Sequence, residues 1–281
     1  MSLPGTARRS HGPVCDFHAR FPPRPDMLRR LLSTMDECGL DRVVVCAGGT
    51  LSLDQLSRQL IEGGHVETDA DNEAVLRAAD AADGRLVPFY FANPHAPATR
   101  YRAVADQYAG LEISPAVHGV PLGDERNLRL LAIAAEAGHP VYVVCLERSG
   151  ARVTDLVELA RRFPGLPLVL GHSGVGNIDY YAVDLIAPYP SIALETSGGY
   201  SSVVRRALDR LGPGRVLFGT EFPLQDPRVE LAKYAALDLP PAQWAQVAWD
   251  NADRLLGGHP RWQQWRRDDN DRSTDPAATA G

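Results

Sequence analysis

The 281-residue chain carries 29 Lys+Arg against 35 Asp+Glu, a net charge of −6, which argues against a nucleic-acid or anionic-membrane surface spread over the whole protein. With 44% hydrophobic and 23% charged residues, 25 Gly and 22 Pro, it is an ordinary globular composition able to bury a core, neither collagenous nor broadly disordered. Length alone admits two small domains or one large unit.

Residues 1–12 are small, polar and basic, lack the apolar centre of a secretory signal, and read as a disordered tail. From there short β-branched or aliphatic runs alternate with helical text. The first run is Val14 to His18, followed by helical periodicity over Asp26 to Cys38 and a second run, Arg42 to Ala47. An insertion, Thr50 to Glu67, comes next. Helical text over Asp69 to Ala82 leads to a run at Leu86 to Asn93, and Ala98 to Tyr108 leads to Leu111 to Pro115. Glu125 to Ala137 precedes Val141 to Glu147, and Val153 to Phe163 precedes Pro167 to His172. Ile178 to Ile186 precedes Ser191 to Ser197, and Ser201 to Leu211 precedes the eighth run, Val216 to Pro223. Asp238 to Leu256 supplies closing helices, with Trp244 and Trp249 as packing anchors. Gly39, Gly84, Gly138 and Gly212 each follow helical text, as helix-ending glycines do. Residues 266–281 are charged, then small, and read as a second disordered tail.

Eight strand-and-helix units within about 250 residues predict a single α/β (β/α)8 TIM barrel spanning 13–265. A doubly wound sheet would show a GxGxxG turn after its first strand, and none is present. In a barrel the insertion at Thr50 to Glu67 lies at the C-terminal mouth, where it can cover a ligand. Cys15, Cys38, Cys46 and Cys145 contain no CxxC pair and are too sparse for a disulfide scaffold, which favours a reducing compartment. No apolar run reaches the length of about 18 needed to span a bilayer, so the expectation is a cytoplasmic protein without membrane or nucleic-acid partners. The sequence leaves a homo-oligomer open.

Barrel chemistry sits at the C-terminal ends of the strands, and polar residues cluster there. His18 ends the first run with Arg20 just beyond. Glu112 lies on the fourth, followed by His118 in its loop, and the fifth carries Cys145 and Glu147. The sixth ends in Gly171-His172-Ser173-Gly174, the seventh holds Glu195 and Thr196, and the eighth ends in Gly219-Thr220-Glu221-Phe222-Pro223. Glu112 faces the barrel interior on one strand parity and outward on the other.

The stretches VCDFHARF, LPLVLGHSG, IALETSG, RVLFGTEFP and NADRLL resemble the amidohydrolase-related (amidohydrolase-2) family over Val14 to Leu256. The resemblance implies a (β/α)8 hydrolase or decarboxylase using a divalent metal, usually zinc. It further implies an HxH pair on strand one, further His ligands on strands five and six, and an Asp on strand eight that takes a proton from the attacking water. Here Arg20 replaces the second His of the pair, Val144 or Cys145 the strand-five His, and Glu221 the Asp. A guanidinium has no lone pair and cannot ligate a metal. The implied metal set is therefore His18, His172 and Glu221, with Cys145 as a thiolate candidate. His172 and Glu221 are the expected catalytic residues; Arg20, Glu112 and His118 are expected to bind a small-molecule substrate, with Arg20 placed for a carboxylate.

Each residue has a plainer reading beside the chemical one. His18 and His172 also read as buried strand-end histidines, Cys145 as a small core residue, Glu221 as a structural acid, and Arg20 as its partner or that of Glu112. His65, His95 and Glu147-Arg148 read as loop polar residues, and His11, His139 and His259 as carrying no chemistry. The expected activity is hydrolysis of a small amide, lactone or cyclic acid, with zinc or another divalent metal or with none. The alternatives are non-oxidative decarboxylation and a decayed barrel serving as a binding or pathway accessory.

Overall fold

The computed structural model describes residues 12–263; the expected tails, Gly12 aside, and His11 lie outside the described residues. Eight strands form one parallel sheet in sequential order: β1 (Cys15–Phe21), β2 (Arg42–Ala47), β3 (Leu86–Phe91), β4 (Gly110–Ile113), β5 (Val141–Val143), β6 (Leu168–Leu170), β7 (Ile192–Glu195) and β8 (Val216–Leu217). The ladder then passes back onto β1: Phe17 N donates to Phe218 O at 2.8 Å, Glu221 N to His18 O at 2.9 Å, and Arg20 N to Phe222 O at 2.6 Å. These bonds close the barrel. Several strands are shorter than their apolar runs, because the polar ends of those runs leave the ladder to become mouth loops. β1 goes the other way and continues through Arg20 to Phe21.

The helices are α1 (Met27–Cys38), α2 (Leu53–Glu62), α3 (Asn72–Asp80), α4 (Thr99–Arg102), α5 (Pro115–His118), α6 (Glu125–Ala137), α7 (Val153–Arg162), α8 (Tyr180–Ile186), α9 (Ser201–Leu211), α10 (Pro227–Leu237), α11 (Pro241–Ala245) and α12 (Asn251–Leu256). Three departures from the sequence pattern stand out. The expected helix at Ala98 to Tyr108 breaks into α4 and a 3-10 turn at Ala105–Gln107; α10 was not apparent from the apolar spacing; and the closing segment includes a π-helical stretch at Gln246–Asp250. α2 forms inside the insertion, started by a reciprocal cap in which Ser52 Oγ accepts from Gln55 N and Gln55 Oε1 accepts from Ser52 N. Its buried Gln59 donates to Ala116 O at 2.6 Å and Val117 O at 2.9 Å, which lays the insertion across the loop after β4, at the mouth. Among the described residues no helix is long and apolar enough to cross a membrane.

Because both sheet faces are covered, strands such as RVVVCA in β2 are buried at every position. Val43, Val45, Leu111, Val141, Leu168 and Leu194 pack outward against the helices. Phe17, Val44, Phe89, Tyr142, Val169 and Leu217 fill the interior with Trp249 and Trp262. Trp244 instead packs outside the barrel on Phe218 and Tyr234. At the foot, Arg42 donates to the carbonyls of Trp262 and Arg261 and lies 4.1 Å from the Trp262 ring centroid.

One irregularity positions the site. Asp16 pairs with Val43 and Ala19 with Val45, so β1 spends three residues where β2 spends two. This bulge changes the strand's parity: Phe17 packs in the interior cluster, and the next residue, His18, also turns inward and stacks on Tyr142. Asp16, fully buried, holds the bulge by accepting from His18 N at 3.1 Å, Thr220 N at 2.9 Å and Thr220 Oγ1 at 2.5 Å. Burial pushes its carboxyl up to about 7 despite these donors. Thr220→Val is expected to cost about 2 kcal/mol, since it leaves a buried carboxyl oxygen without its hydroxyl donor. Thr220→Ser should stay near the wild type; urea denaturation of the pair is the check.

Away from the mouth, Tyr101 OH pairs with His139 Nδ1 at 2.6 Å. Burial, with His259 alongside, pulls His139 down from 6.5 to about 4. The unfolded chain therefore binds this proton at a higher pH than the folded one, so the contribution is complete above about 6.5 and is lost as the pH falls toward 4. Denaturation curves at pH 7 and pH 4.5 should show His139→Gln losing less stability on acidification than the wild type, by on the order of 2 kcal/mol. Equal losses would exclude this role.

Candidate active site

The mouth of the barrel gathers His18 and Arg20 from β1, Glu112 from β4, Tyr142 from β5, Glu195 from β7, and His172 and Glu221 from the segments following β6 and β8. Inward parity explains most of this: Tyr142 lies two residues before inward Val144, and Glu195 two after inward Ala193. His172, Ser173 and Glu221 are reached differently, through backbones at φ 55°, 60° and 57°. Left-handed conformations cost about 1 kcal/mol or more for residues with a Cβ, so the fold spends strain at the two turns that aim the imidazole and the carboxylate.

Glu112 is wholly buried and joins the two β1 residues. Its Oε2 accepts from His18 Nε2 at 3.2 Å, and its Oε1 makes an ion pair with Arg20 Nη2 at 2.6 Å. Burial would raise this carboxyl, but Arg20 and His18 overcome it and hold it down to about 2. The Cys46 thiol, itself raised by burial, lies beside the same carboxylate. Glu112 thus faces inward but serves the neighbouring side chains rather than an open surface. Arg20 also approaches Glu221 Oε1 with Nε at 3.4 Å and lies over the Phe91 ring.

A second bracing system holds His172. Tyr142 OH donates to Glu195 Oε2 at 2.6 Å, Ser197 N to Oε1 at 2.5 Å, and His172 N to Oε2 at 3.1 Å. Ser197 Oγ also donates to Glu195, at 2.9 Å, and accepts from His172 Nδ1 at 2.9 Å. The His172 proton therefore sits on Nδ1, leaving a lone pair on Nε2. Space for this network comes from two glycines: a Cβ at Gly171 would lie 2.4 Å from Tyr142 OH, and one at Gly219 2.3 Å from Glu195 Oε1.

The forward atoms of both histidines meet one carboxylate oxygen. Glu221 Oε2 is 2.5 Å from His18 Nδ1 and 3.6 Å from His172 Nε2. Burial opposes charge on both partners of the closer pair. Glu221 nonetheless lifts His18 to about 9, helped by Glu112, while His172, His18 and Arg20 hold Glu221 well below the carboxylate range. The three donor atoms lie within 4.8 Å of one another, and each imidazole is anchored from behind by an acceptor. Such a set suits a divalent cation once the His18 Nδ1 proton that Glu221 holds is displaced. The contact of Arg20 with Glu221 uses the other carboxylate oxygen. His18, His172 and Glu221 are thus the residues that could hold a metal.

Cys145 lies elsewhere, in the layer between sheet and helices, where burial raises its thiol. Val144 takes the inward position beside it. His118 is buried behind Phe91, its Nδ1 bonded to Val66 O at 3.0 Å. Sequence reasoning assigned no role to Asp16, Cys46, Tyr142, Glu195 or Ser197; Glu195 was visible as a strand-end acid, and inward parity is the signal that marks Tyr142.

A family model described as amidohydrolase matches residues 15–258. No curated protein sequence matches the chain. Among solved structures, 5-carboxyvanillate decarboxylase from Sphingomonas paucimobilis superposes with a TM-score of 0.64 at 17% identity, covering 87% of this chain and 99% of its own. The 5-carboxyvanillate decarboxylase from Novosphingobium aromaticivorans, complexed with manganese and 4-hydroxy-3-methoxy-5-nitrobenzoic acid, gives 0.67 at 13% identity, covering 88% and 97%. A probable 2-pyrone-4,6-dicarboxylic acid hydrolase from Acinetobacter baumannii, with citric acid bound, gives 0.64 at 14% identity, covering 88% and 100%. At these identities the likeness establishes the TIM-barrel fold.

The shared carboxylate makes a direct prediction. Glu112→Gln strips the partly buried Arg20 of its closest counter-charge and is expected to cost about 3 kcal/mol. Adding Arg20→Met should recover part of that, giving a coupling of at least about 1 kcal/mol in a double-mutant cycle. Strict additivity would show that the pair does not act as a unit.

Proposed function

The chain belongs to the amidohydrolase family, and from that premise we propose that it hydrolyses a small carbonyl substrate, an amide, lactone or cyclic acid, at the site formed by His18, His172 and Glu221. The observation that carries this reading is the meeting of two imidazole nitrogens and one carboxylate oxygen within 4.8 Å, each imidazole fixed from behind by Glu112 or Ser197. A manganese-bound structural relative supports a divalent metal here, and the two-nitrogen, one-oxygen donor set is also compatible with zinc. When bound, the metal supplies Lewis acidity and lowers the pKa of water.

The remaining chemistry falls to the chain's own groups. Glu221, held ionised by its cationic neighbours, accepts a proton from water as the water oxygen bonds to the substrate carbon. The proton passes to the departing nitrogen or oxygen as the C–N or C–O bond breaks. Glu221 carries that proton, while Ser197 and Glu195 fix the His172 ring, 25% exposed at its side chain, so that its Nε2 faces the site. Arg20, 17% exposed, offers positive charge to a substrate carboxylate or to the developing oxyanion.

Arg20 also favours a second reading. A guanidinium beside the converging donors suits an aromatic carboxylate, and two of the structural relatives are decarboxylases, so non-oxidative decarboxylation is the alternative. Chelator-stripped protein, reloaded with manganese or zinc, should be assayed on lactones, amides and hydroxybenzoic acids in 18O-labelled water. Label in the product is expected, with turnover reduced at least about 100-fold by His172→Asn and by Glu221→Gln. Carbon dioxide release without label would replace hydrolysis by decarboxylation, and undiminished turnover in both variants would overturn the site assignment.

A further inference from the structure

A second group of donors lies on the rim, outside the site above. His65 and Glu67 end the insertion, and His95 lies in the loop after β3; one donor atom from each falls within 4.8 Å of the others. Glu67 Oε1 is 3.6 Å from His65 Nε2 and 3.6 Å from His95 Nδ1, and the two rings stack at 5.3 Å and 12°. His95 Nε2 donates to His118 O at 2.8 Å, which leaves the Nδ1 lone pair facing Glu67. A backbone carbonyl behind one imidazole nitrogen, with the other nitrogen free to ligate, is the bracing that metal-bound histidines use.

The surrounding chain holds these donors in place. His118 Nδ1 donates to Val66 O at 3.0 Å, and Val66 N to Val117 O at 3.0 Å. Asn93 Nδ2 donates to Glu67 O at 2.7 Å while its Oδ1 accepts from His95 N at 2.9 Å. His65 packs so closely on Gly119, at φ +67°, that a Cβ there would lie 2.7 Å from His65 Cβ. Arg126 Nη1 lies 3.4 Å from His95 Nδ1, but its Nε and Nη2 are bound by Asp124, so a cation must displace one weak contact.

We infer that His65, Glu67 and His95 form a second divalent-cation site that clips the end of the insertion to the barrel rim. Two imidazoles and an exposed carboxylate, with remaining positions open to water, suit zinc rather than magnesium or calcium. The clip joins the loops after β2 and β3 and so steadies α2, which Gln59 and the packing of Leu56 also tie to the barrel. This site is independent of the metal reading at His18, His172 and Glu221.

The test titrates stripped full-length protein with zinc, using elemental analysis after gel filtration to count bound ions and trypsin cleavage after exposed Arg58 in α2 to report on the clip. In His172→Asn, one zinc should remain, and zinc at ten times its dissociation constant should slow cleavage about tenfold. Adding His65→Asn or Glu67→Gln should abolish both effects. If neither substitution alters zinc count or protection, the inference is overturned. If the wild type binds a single zinc that His65→Asn removes and His172→Asn does not, the rim site stands while the metal reading of the central site fails.

Discussion

The site depends on one buried carboxylate. Glu112 has no exposure, and a charge so placed is tolerable only when paired. It pairs with two residues from a single strand, binding the back of the His18 ring and the guanidinium of Arg20. The same contacts decide which nitrogen of His18 looks forward and keep Arg20 beside Glu221 instead of leaving it free to rotate to solvent. Positive and negative groups therefore interlock as a unit, and the electrostatic state of each member belongs to the set.

His172 is braced by different means. Glu195 Oε2 lies 4.0 Å behind its Nδ1, a serine relays the hydrogen bond between them, and Tyr142 completes the acceptor's shell while stacking its ring on His18 at 4.0 Å. Tyr142 thus touches both halves of the site. The glycines at 171 and 219 are the steric condition for that arrangement, and the left-handed turns at His172 and Glu221 are its conformational cost.

Much of this was legible in the sequence. Eight apolar runs separated by helical text give the barrel, and the residues ending runs one, six and eight give His18, His172 and Glu221. Hydrophobic pattern is strong where both faces of a strand are buried, which is why β2 and β3 begin where the pattern says. It is silent on the bulge in β1, because a parity change depends on how Asp16 is bonded across the seam to Thr220. The same silence hid the role of Tyr142 and of Glu195, the latter visible only as a strand-end acid, because the two meet across 53 residues of chain. Cys145 shows the converse: proximity in sequence to a family ligand position says nothing of direction, and the strand turns that thiol toward the helices. His65 and His95 read as separate loop residues because nothing local ties the end of the insertion to the loop after β3.

The bulge in β1 also has a bearing on how the molecule comes together. Asp16 meets Thr220 across 204 residues, and Arg20 meets Glu221 across 201, so the pocket straddles the seam where the first strand joins the last. Contacts of such long range carry a large loop-closure entropy. A growing chain leaving the ribosome, or an intermediate missing its final strand, holds Glu112 and His18 without Glu221. The full set of converging side chains is therefore present only where the two ends of the chain meet.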